Sequence, residues 1–291
     1  MKIKFKKLIL SEKILNFLKK LWFVIYKSIF TFNIHGGYES AGNLAFIMVF
    51  ALFPFMIFFT ILIGYLGQTE IGIRLISILN KSLPKDIAET LLPVIDNVIN
   101  TPKSSIISIA SLTLIWSASS LVQELKYILD KALKIRANKP YLLNRLSSII
   151  KFLIITSIII FSIFFTIVFP KITFFIGKFI PIDLDFSNAL VLFKPILIGF
   201  FMLLFIISIY YIIPSKIKRL KDIIWGALLT VFGWSISLKL LTFYLTKMAQ
   251  FQVVYGSLAG IIITLFFFQI MAIILIFSAE FNQNIKEIFK N

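Results

Sequence analysis

The feature that most constrains this chain is an uncharged run of 32 residues between Lys247 and Glu280. A helix needs about 20 predominantly apolar residues to cross the hydrocarbon core of a bilayer. Runs of similar length lie elsewhere in the chain, and one of them is interrupted only by Lys239. The sequence therefore predicts an all-α integral membrane protein with a bundle of six transmembrane helices, at about residues 41–66, 104–122, 152–170, 193–213, 223–246 and 255–279.

Lys239, the charged residue within the fifth predicted span, has two interpretations. At about 1.5 Å per residue, it lies roughly 24 Å beyond Ile223, near the far interface of the bilayer. A long Lys side chain can extend from there to the headgroups, so the segment still crosses. The alternative is that Lys239 lines a polar cavity inside the bundle.

Composition supports a membrane protein and excludes several kinds of site. The chain of 291 residues is 59% hydrophobic and has a mean hydropathy of +0.97, which is too apolar for a water-soluble domain. It contains no Cys, which excludes disulfides, thiol catalysis and thiolate metal sites. Its single His, His35, excludes His-rich metal sites. The sequence indicates no cofactor.

The distribution of positive charge predicts the orientation. A net charge of +17 is also found in proteins that bind nucleic acid, but Lys and Arg of membrane proteins gather on the cytoplasmic side and contact anionic lipids. The segments 1–40, 122–148, 214–222 and 280–291 together hold 20 Lys and Arg, whereas the alternate loops hold seven. We therefore expect cytoplasmic N- and C-termini, anionic lipids as partners and no nucleic acid.

Two segments outside the spans have apolar residues at helical spacing. In the basic cytoplasmic segment 1–40, this spacing predicts an amphipathic helix on the inner leaflet, with a stripe formed by Leu15, Leu18, Trp22, Ile25, Tyr26 and Ile29. In the loop after the first span, it predicts a helical outer loop that caps the bundle or binds a soluble partner, carried by Ile87, Leu91, Val94, Ile95, Val98 and Ile99. The membrane domain then covers 41–280, and 281–291 form a cytoplasmic tail.

Polar side chains in or next to the spans are the candidate functional residues, because such groups are costly in lipid. The candidates are Asn43, Glu124, Lys239, Gln269 and Glu280. Glu124 and Glu280 end their spans on the inner side, where they either flank an opening lined by Lys126 or Arg145 or pair with nearby cations. Gln269 suits a helix–helix hydrogen bond or a substrate contact.

Small residues in the last span indicate close helix packing. Gly256 and Gly260 lie one turn apart on one helix face, and small faces allow close approach of helices in lipid. The stretch Trp116-Ser117-Ala118-Ser119-Ser120 offers a second small, weakly polar surface. We expect such faces to meet within the bundle rather than in a dimer.

Motifs in order along the chain resemble those of the YihY/BrkB family of bacterial inner-membrane proteins. Tyr255-Gly256-Ser257-Leu258-Ala259, the apolar helix after it and Ala279-Glu280 resemble the end of that family. The other matching residues are Ala45, Phe46, Leu52, Phe53, Pro54, Trp116, Ser117, Ala118, Ser119, Pro214, Trp225, Gly226, Ala227, Trp234 and Tyr244. The chain departs from the family pattern at Ala51, Phe267 and Ser278. The resemblance implies six helices in the bacterial plasma (inner) membrane.

Members of this family have been labelled ribonuclease BN, and the residues argue against that activity. A metal-dependent nuclease needs several His or carboxylate ligands converging on an ion, whereas the 13 acids here are scattered. We therefore expect no enzyme activity. The leading interpretation is a transporter or lipid-handling protein of the cell envelope, with a small-molecule or lipid substrate. The alternative is a non-transporting envelope or scaffold protein linked to serum resistance and virulence. Substrate and oligomeric state stay open.

Overall fold

The computed structural model describes residues 2–67, 104–136, 140–177, 186–216, 219–247 and 252–290, and these residues are helical with short connections. Within them the helices are α1 (Lys2–Ile34), α2 (Gly37–Gly67), α3 (Ser104–Ala132), α4 (Tyr141–Gly177), α5 (Phe186–Ile212), α6 (Leu220–Lys247) and α7 (Gln252–Lys290). The predicted all-α class is thus confirmed for the described residues. The predicted helical outer loop lies outside them.

Five of the six predicted spans fall within α2, α3, α4, α6 and α7, and the span at 193–213 ends one residue beyond α5. Among the described residues, three helical segments are long and apolar enough to cross a membrane, namely Tyr141–Ser162, Leu220–Tyr244 and Gly260–Phe289. Two shorter apolar segments, Gly37–Leu52 and Ile196–Ile212, belong to α2 and α5. The membrane class therefore stands, whereas the count of six spans remains a prediction.

Several helices extend beyond the predicted spans. α3 continues to Ala132 and α4 already begins at Tyr141, about three turns before its uncharged run. An uncharged run marks only the part of a helix that lipid can accept, so it misses polar continuations. Contacts between helices stabilise these continuations, as when Lys126 of α3 donates a hydrogen bond to the Asn144 side chain of α4, 2.6 Å away.

The chain divides into two compact units, Met1–Ala45 with Val122–Asn291, and Phe46–Leu121. In the first unit, α7 packs against both α6 and α1, and α5 packs against both α4 and α6. Apolar side chains that are almost fully buried accompany this packing: Ile206, Ile213, Ile223, Ala272, Leu275 and Ala279. In the second unit, the Ser119 and Ser120 hydroxyls donate hydrogen bonds to the Trp116 carbonyl oxygen, which satisfies them within α3.

Two glycines allow α6 to approach α7 closely. A Cβ atom at Gly226 would overlap the Ser278 carbonyl oxygen and the Asn282 amide, and one at Gly233 would stand 2.7 Å from Ile274 Cγ2. No hydrophobic force drives two helices together in lipid, so close van der Waals packing over small residues matters more there. The residue pair Gly226 and Gly233 therefore sets the distance between these helices.

The face of Gly260 differs from the expectation of close packing. Among the described residues, nothing lies within 4 Å of the place where a Gly260 Cβ would stand. The surroundings of Gly256 lie outside the described part of the structure. The spacing of glycines shows that one face of a helix carries small residues. Whether another helix packs against that face depends on how the bundle is assembled. The α6–α7 contact uses the small residues of α6 instead.

The N-terminal helix α1 is amphipathic and rests on α7. Val24, Ser28 and Phe32 are buried on the side that faces the bundle, whereas the predicted apolar stripe is exposed except for the half-buried Ile25. α1 ends at Ile34, and Gly36 two residues later has a positive φ of 65°, the left-handed conformation common just after a helix end. The turn places His35 at the junction with α2.

Candidate functional site

Polar contacts join the ends of several helices on one side of the first unit. Lys134, just after α3, lies 2.6 Å from the Glu287 carboxylate near the end of α7. Lys286 of α7 lies 3.1 Å from Asp222 at the start of α6. These ion pairs place the C-terminal ends of α3 and α7 beside the N-terminal end of α6. We call this region the polar end.

A buried pair at the polar end joins α7 to the α1–α2 turn. The Glu280 side chain is only 1% exposed, and its Oε1 atom lies 2.5 Å from Nδ1 of His35. Lys131 of α3 donates a hydrogen bond to the His35 carbonyl oxygen at 2.8 Å. Glu280 was predicted as a candidate from its position after the long apolar run. Its partner His35 was not predicted, although a lone His beside a Gly turn is the kind of group that a buried carboxylate needs.

A second pair brings together two other predicted candidates. Asn43 of α2 donates a hydrogen bond from Nδ2 to Glu124 Oε1 of α3 at 2.8 Å. This contact joins the two helices that flank the first long loop. It resembles a helix–helix brace more than an isolated charge, because the amide satisfies one of the two carboxylate oxygens.

Two asparagines that sequence reasoning missed connect α7 to its neighbours. Asn282 accepts a hydrogen bond from the Gly226 amide at 2.6 Å and donates one to the Ile223 carbonyl oxygen at 3.1 Å. Asn284 donates to the Ser28 and Thr31 hydroxyls of α1, at 3.1 Å each. Both asparagines are buried. Buried amides are costly unless they are bonded, so these contacts favour one arrangement of α1, α6 and α7.

Tyr210 is a further buried polar residue that the sequence did not single out. Its hydroxyl donates a hydrogen bond to the Leu275 carbonyl oxygen and lies 2.7 Å from Thr230 Oγ1. One side chain of α5 thereby contacts both α6 and α7. The signal was weak because a Tyr in an apolar run usually indicates an interface residue.

A cavity of about 520 Å³ lies at the polar end. It is lined by Gln123, Lys126, Tyr127, Asp130, Lys131, Ile135, Arg136 and Asn144. All of these residues except Ile135 carry a polar group, and three of them are cationic. Asp130 is the one acid in the lining, and Ser215 donates to both of its carboxylate oxygens, from the backbone amide at 2.7 Å and from the hydroxyl at 2.5 Å.

The five predicted polar candidates do not converge on this cavity. Glu124 and Glu280 belong to the two separate pairs, and Lys126 is the predicted wall residue that does line the cavity. Lys239 is exposed on α6. Gln269 is half-buried. A Cβ atom added to Gly42 would lie 4.0 Å from Nε2 of Gln269, so this side chain lies where α7 approaches α2.

The motif residues occupy varied positions. Trp116 and Trp225 are largely exposed, and the Pro214 carbonyl oxygen accepts a hydrogen bond from Lys151 at 3.2 Å, just after α5 ends. Gly226 lies in the α6–α7 contact described above. The side chains of Pro54 and Tyr255 lie outside the described part of the structure. Within the described residues, no group of three or more His, Cys, Asp or Glu side chains is arranged to hold a metal ion.

Comparison with known sequences identifies the family. The sequence profile described as virulence factor BrkB matches residues 29–290. The chain belongs to the BrkB family. This match confirms the resemblance of its motifs to those of YihY/BrkB proteins. The chain is thus a membrane protein of this family.

Two relatives of this BrkB family member carry different names. It is 26% identical over 258 residues to a Bacillus subtilis protein named putative ribonuclease-like protein YfkH, covering 86% of this chain and 90% of the relative. It is 23% identical over 260 residues to a UPF0761 membrane protein of Alteromonas mediterranea, covering 87% and 84%. No solved structure matches the chain.

Proposed function

We propose that this BrkB family member transports or otherwise handles a lipid or small molecule of the bacterial cell envelope. The observation that carries the proposal is the cavity of about 520 Å³ at the polar end, with its cationic and amide lining. Ligand sites commonly have volumes of roughly 300–1,000 Å³ and a few well-placed polar groups. A protein that serves only as a scaffold has no need of such a cavity between its helix ends.

The proposed setting is the bacterial plasma membrane, crossed six times with both termini in the cytoplasm. The alternation of helix ends supports this arrangement. Asp130 near the end of α3 contacts Ser215 just after α5, while Asn144 near the start of α4 contacts Lys126 of α3. Helices that follow one another along the chain therefore bring opposite ends to the polar end. The bias of 20 Lys and Arg against seven supports a cytoplasmic polar end.

A non-transporting envelope or scaffold role is the second candidate. It is favoured by hydrogen bonds from buried polar side chains to neighbouring helices, made by Tyr210, Asn282 and Asn284. Such bonds stabilise one packing arrangement, whereas a transporter alternates between two. If the protein is a transporter, the helices must move in a part of the bundle that these three side chains do not hold.

Ribonuclease activity is not part of the proposal, despite the name of the Bacillus subtilis relative. Acids of the described residues are engaged in separate contacts: Asp130 with Ser215, Asp222 with Lys286, Glu280 with His35 and Glu287 with Lys27 and Lys134. A nuclease of the two-metal type needs carboxylates that converge on ions about 4 Å apart. The geometry of these acids supports structural roles.

A lipid-movement assay with a cavity-filling variant tests the proposed function. The full chain is reconstituted into vesicles that contain a fluorescent phospholipid, and dithionite quenching then measures transbilayer movement. Ile135→Trp fills the cavity without removing any of its polar groups, and Leu153→Trp on the exposed side of α4 is the matched control.

We expect movement with the wild type and Leu153→Trp, and a loss of at least half the rate with Ile135→Trp. Size-exclusion profiles and melting temperatures show whether each variant is folded. Two results together would favour the scaffold role. Lipid would move across the bilayer no faster in vesicles with the wild type than in protein-free vesicles, and Ile135→Trp would fully rescue a deletion strain.

A further inference from the structure

We infer that the cavity at the polar end binds an anionic phosphate group, with Lys126, Lys131 and Arg136 as its ligands. The inference rests on the proposed function only in taking the cavity as the ligand site, and it names the chemistry of the ligand. Two sources offer this chemistry: the headgroup of an anionic phospholipid and a soluble phosphate compound.

The charges that line the cavity do not balance. Three cationic side chains line it, against the single carboxylate of Asp130. Both Asp130 oxygens already accept hydrogen bonds from Ser215, which directs the carboxylate toward the residue after α5. The lining therefore has a net positive charge that an anion within the cavity would offset.

Lys126 provides the strongest evidence. Its side chain is 7% exposed, and it donates a hydrogen bond to the Asn144 side-chain oxygen at 2.6 Å. Asn144 is a neutral partner, and in the part of the chain that the structure describes Lys126 forms no ion pair. Burying a charge is costly unless an opposite charge or several hydrogen bonds compensate it. The ammonium has three donors, so an anion in the cavity can accept those that Asn144 leaves.

Lys131 and Arg136 are exposed and stand at the rim of the cavity. Lys131 is held in place by its bond to the His35 carbonyl oxygen, 2.8 Å away. Arg136 lies just after the turn at Lys134, which has a positive φ of 54°. A guanidinium binds two phosphate oxygens in parallel, whereas an ammonium acts as a point charge. The set thus combines one buried cation with two cations at the entrance.

The surroundings also suit a ligand with an apolar part. The first turns of α4, next to the cavity residue Asn144, expose Leu142, Leu143 and Leu146. A cavity of about 520 Å³ accommodates a headgroup but not two long acyl chains. A phospholipid can place its phosphate in the cavity and keep its chains along this apolar surface. Basic pockets between helices on the cytoplasmic side bind anionic headgroups in this way.

Melting temperatures of the purified full chain in non-ionic detergent test the inference. The probes are dioctanoyl phosphatidylglycerol, dioctanoyl phosphatidylcholine and inorganic phosphate, all at equal ionic strength. A ligand that binds only the folded state raises the melting temperature in a concentration-dependent manner. We expect phosphatidylglycerol to raise it more than phosphatidylcholine does, and the concentration that gives half of the effect to increase at least tenfold in Lys126→Met.

Two further variants separate the site from general charge effects. Arg136→Gln changes an exposed side chain, so it keeps the test valid if Lys126→Met fails to fold; we expect its affinity to fall about threefold to tenfold. Lys239→Met removes an exposed positive charge on α6 and should behave as the wild type. Stabilisation by phosphatidylglycerol alone identifies a lipid source. Equal, Lys126-dependent stabilisation by inorganic phosphate identifies a soluble one.

Equal responses to the anionic and the zwitterionic lipid, with no response to phosphate, would overturn the inference. So would an unchanged response in both Lys126→Met and Arg136→Gln. If lipid movement nevertheless depends on Ile135, the proposed function stands and only the anionic ligand is wrong. If anion binding is found but no lipid movement, the site stands and the lipid-transport form of the proposed function fails.

Discussion

Glu280 of α7 lies 2.5 Å from the ring nitrogen of His35, although 245 residues separate the two in the chain. The contact ties the last helix to the turn between α1 and α2. It also joins a carboxyl group that is 1% exposed to the single His of the protein. The pair therefore couples two regions far apart in the chain, and water has little access to its carboxyl group.

Breaking this pair should destabilise the protein. Replacing both residues should lower the free energy of unfolding by less than the sum of the two single replacements. Leaving a buried polar group without its partner costs about 1–3 kcal/mol, so we expect that loss for His35→Ala. Glu280→Gln keeps the size of the side chain and removes the charge, so its cost should be smaller. Melting temperatures or chemical unfolding of the singles and the double variant measure the coupling. Additive effects of the two substitutions would show that the contact contributes nothing.

Glycine substitutions should separate a packed helix face from an open one. Gly226→Leu places a branched side chain against Ser278 and Asn282 and disrupts the hydrogen bond from the Gly226 amide. Overpacking typically costs about 1–3 kcal/mol, and separating α6 from α7 adds to that. Gly260→Leu and Gly199→Leu point into open space among the described residues and should change stability by less than about 0.5 kcal/mol.

Detergent melting and the level of protein in the membrane compare these three variants. Equal melting temperatures for Gly226→Leu and Gly260→Leu would contradict the α6–α7 packing. A marked loss for Gly260→Leu alone would instead show that its face is covered in the membrane by a second copy or by the residues that the structure leaves undescribed.

The helices could be predicted from the sequence, but their contacts could not. An uncharged run is a local signal, and each predicted span lies inside a helix except for Ile213 at the end of the fourth span. The partners of buried polar groups are set by residues far apart in the chain, as with Glu280 and His35. Nothing in the sequence separates Gly226 from Gly260, yet α7 packs against the first, whereas none of the described residues lies within 4 Å of a Cβ at the second.

The cavity was predicted only in outline for the same reason. Lys126 was named as a wall residue next to Glu124, since both follow an apolar run. Gln123, Arg136 and Asn144 come from two helices and a turn, and a linear pattern gives no reason to group them. The hydrogen bonds that Asp130 accepts come from Ser215, which follows a different helix. Assembly of the bundle creates the site.

The exposed face of α1 should lie against lipid. Trp22 is 73% exposed, while Val24 and Ser28 of the same helix are buried toward the bundle. We expect lipids brominated near the headgroups to quench the fluorescence component that Trp22→Phe removes. Lipids brominated at the chain ends should quench it less, because an interfacial helix lies near the headgroups. Quenching by aqueous iodide but by neither lipid would place this face in water.

The orientation of the chain is tested by reporter fusions. Fusions after residues 85, 178 and 250 should report the outer side, and those after 136, 219 and 291 the inner side, because Lys and Arg are retained in the cytoplasm. Two independent reporters, one active in each compartment, provide the control. An outer location of the C-terminus at residue 291 would mean that an odd number of segments crosses, and the six-span arrangement would have to be abandoned.

The name of the Bacillus subtilis relative raises the question of nuclease activity, and a direct assay answers it. We expect the purified protein with Mg²⁺, Mn²⁺ or Zn²⁺ to cleave a tRNA precursor no faster than a mock preparation does. The reason is geometric: Glu124 accepts a hydrogen bond from Asn43, and both Asp130 carboxylate oxygens accept hydrogen bonds from Ser215. Cleavage that requires metal and disappears in Asp130→Asn or Glu124→Gln would refute this expectation. Those variants keep the size of each side chain, and their melting temperatures show whether a loss of cleavage comes from a folding defect. If instead all the preparations are inactive and Asp130→Asn lowers only the melting temperature, the carboxylate acts as the anchor between α3 and the residue after α5. The cations beside it then remain available to bind an anion.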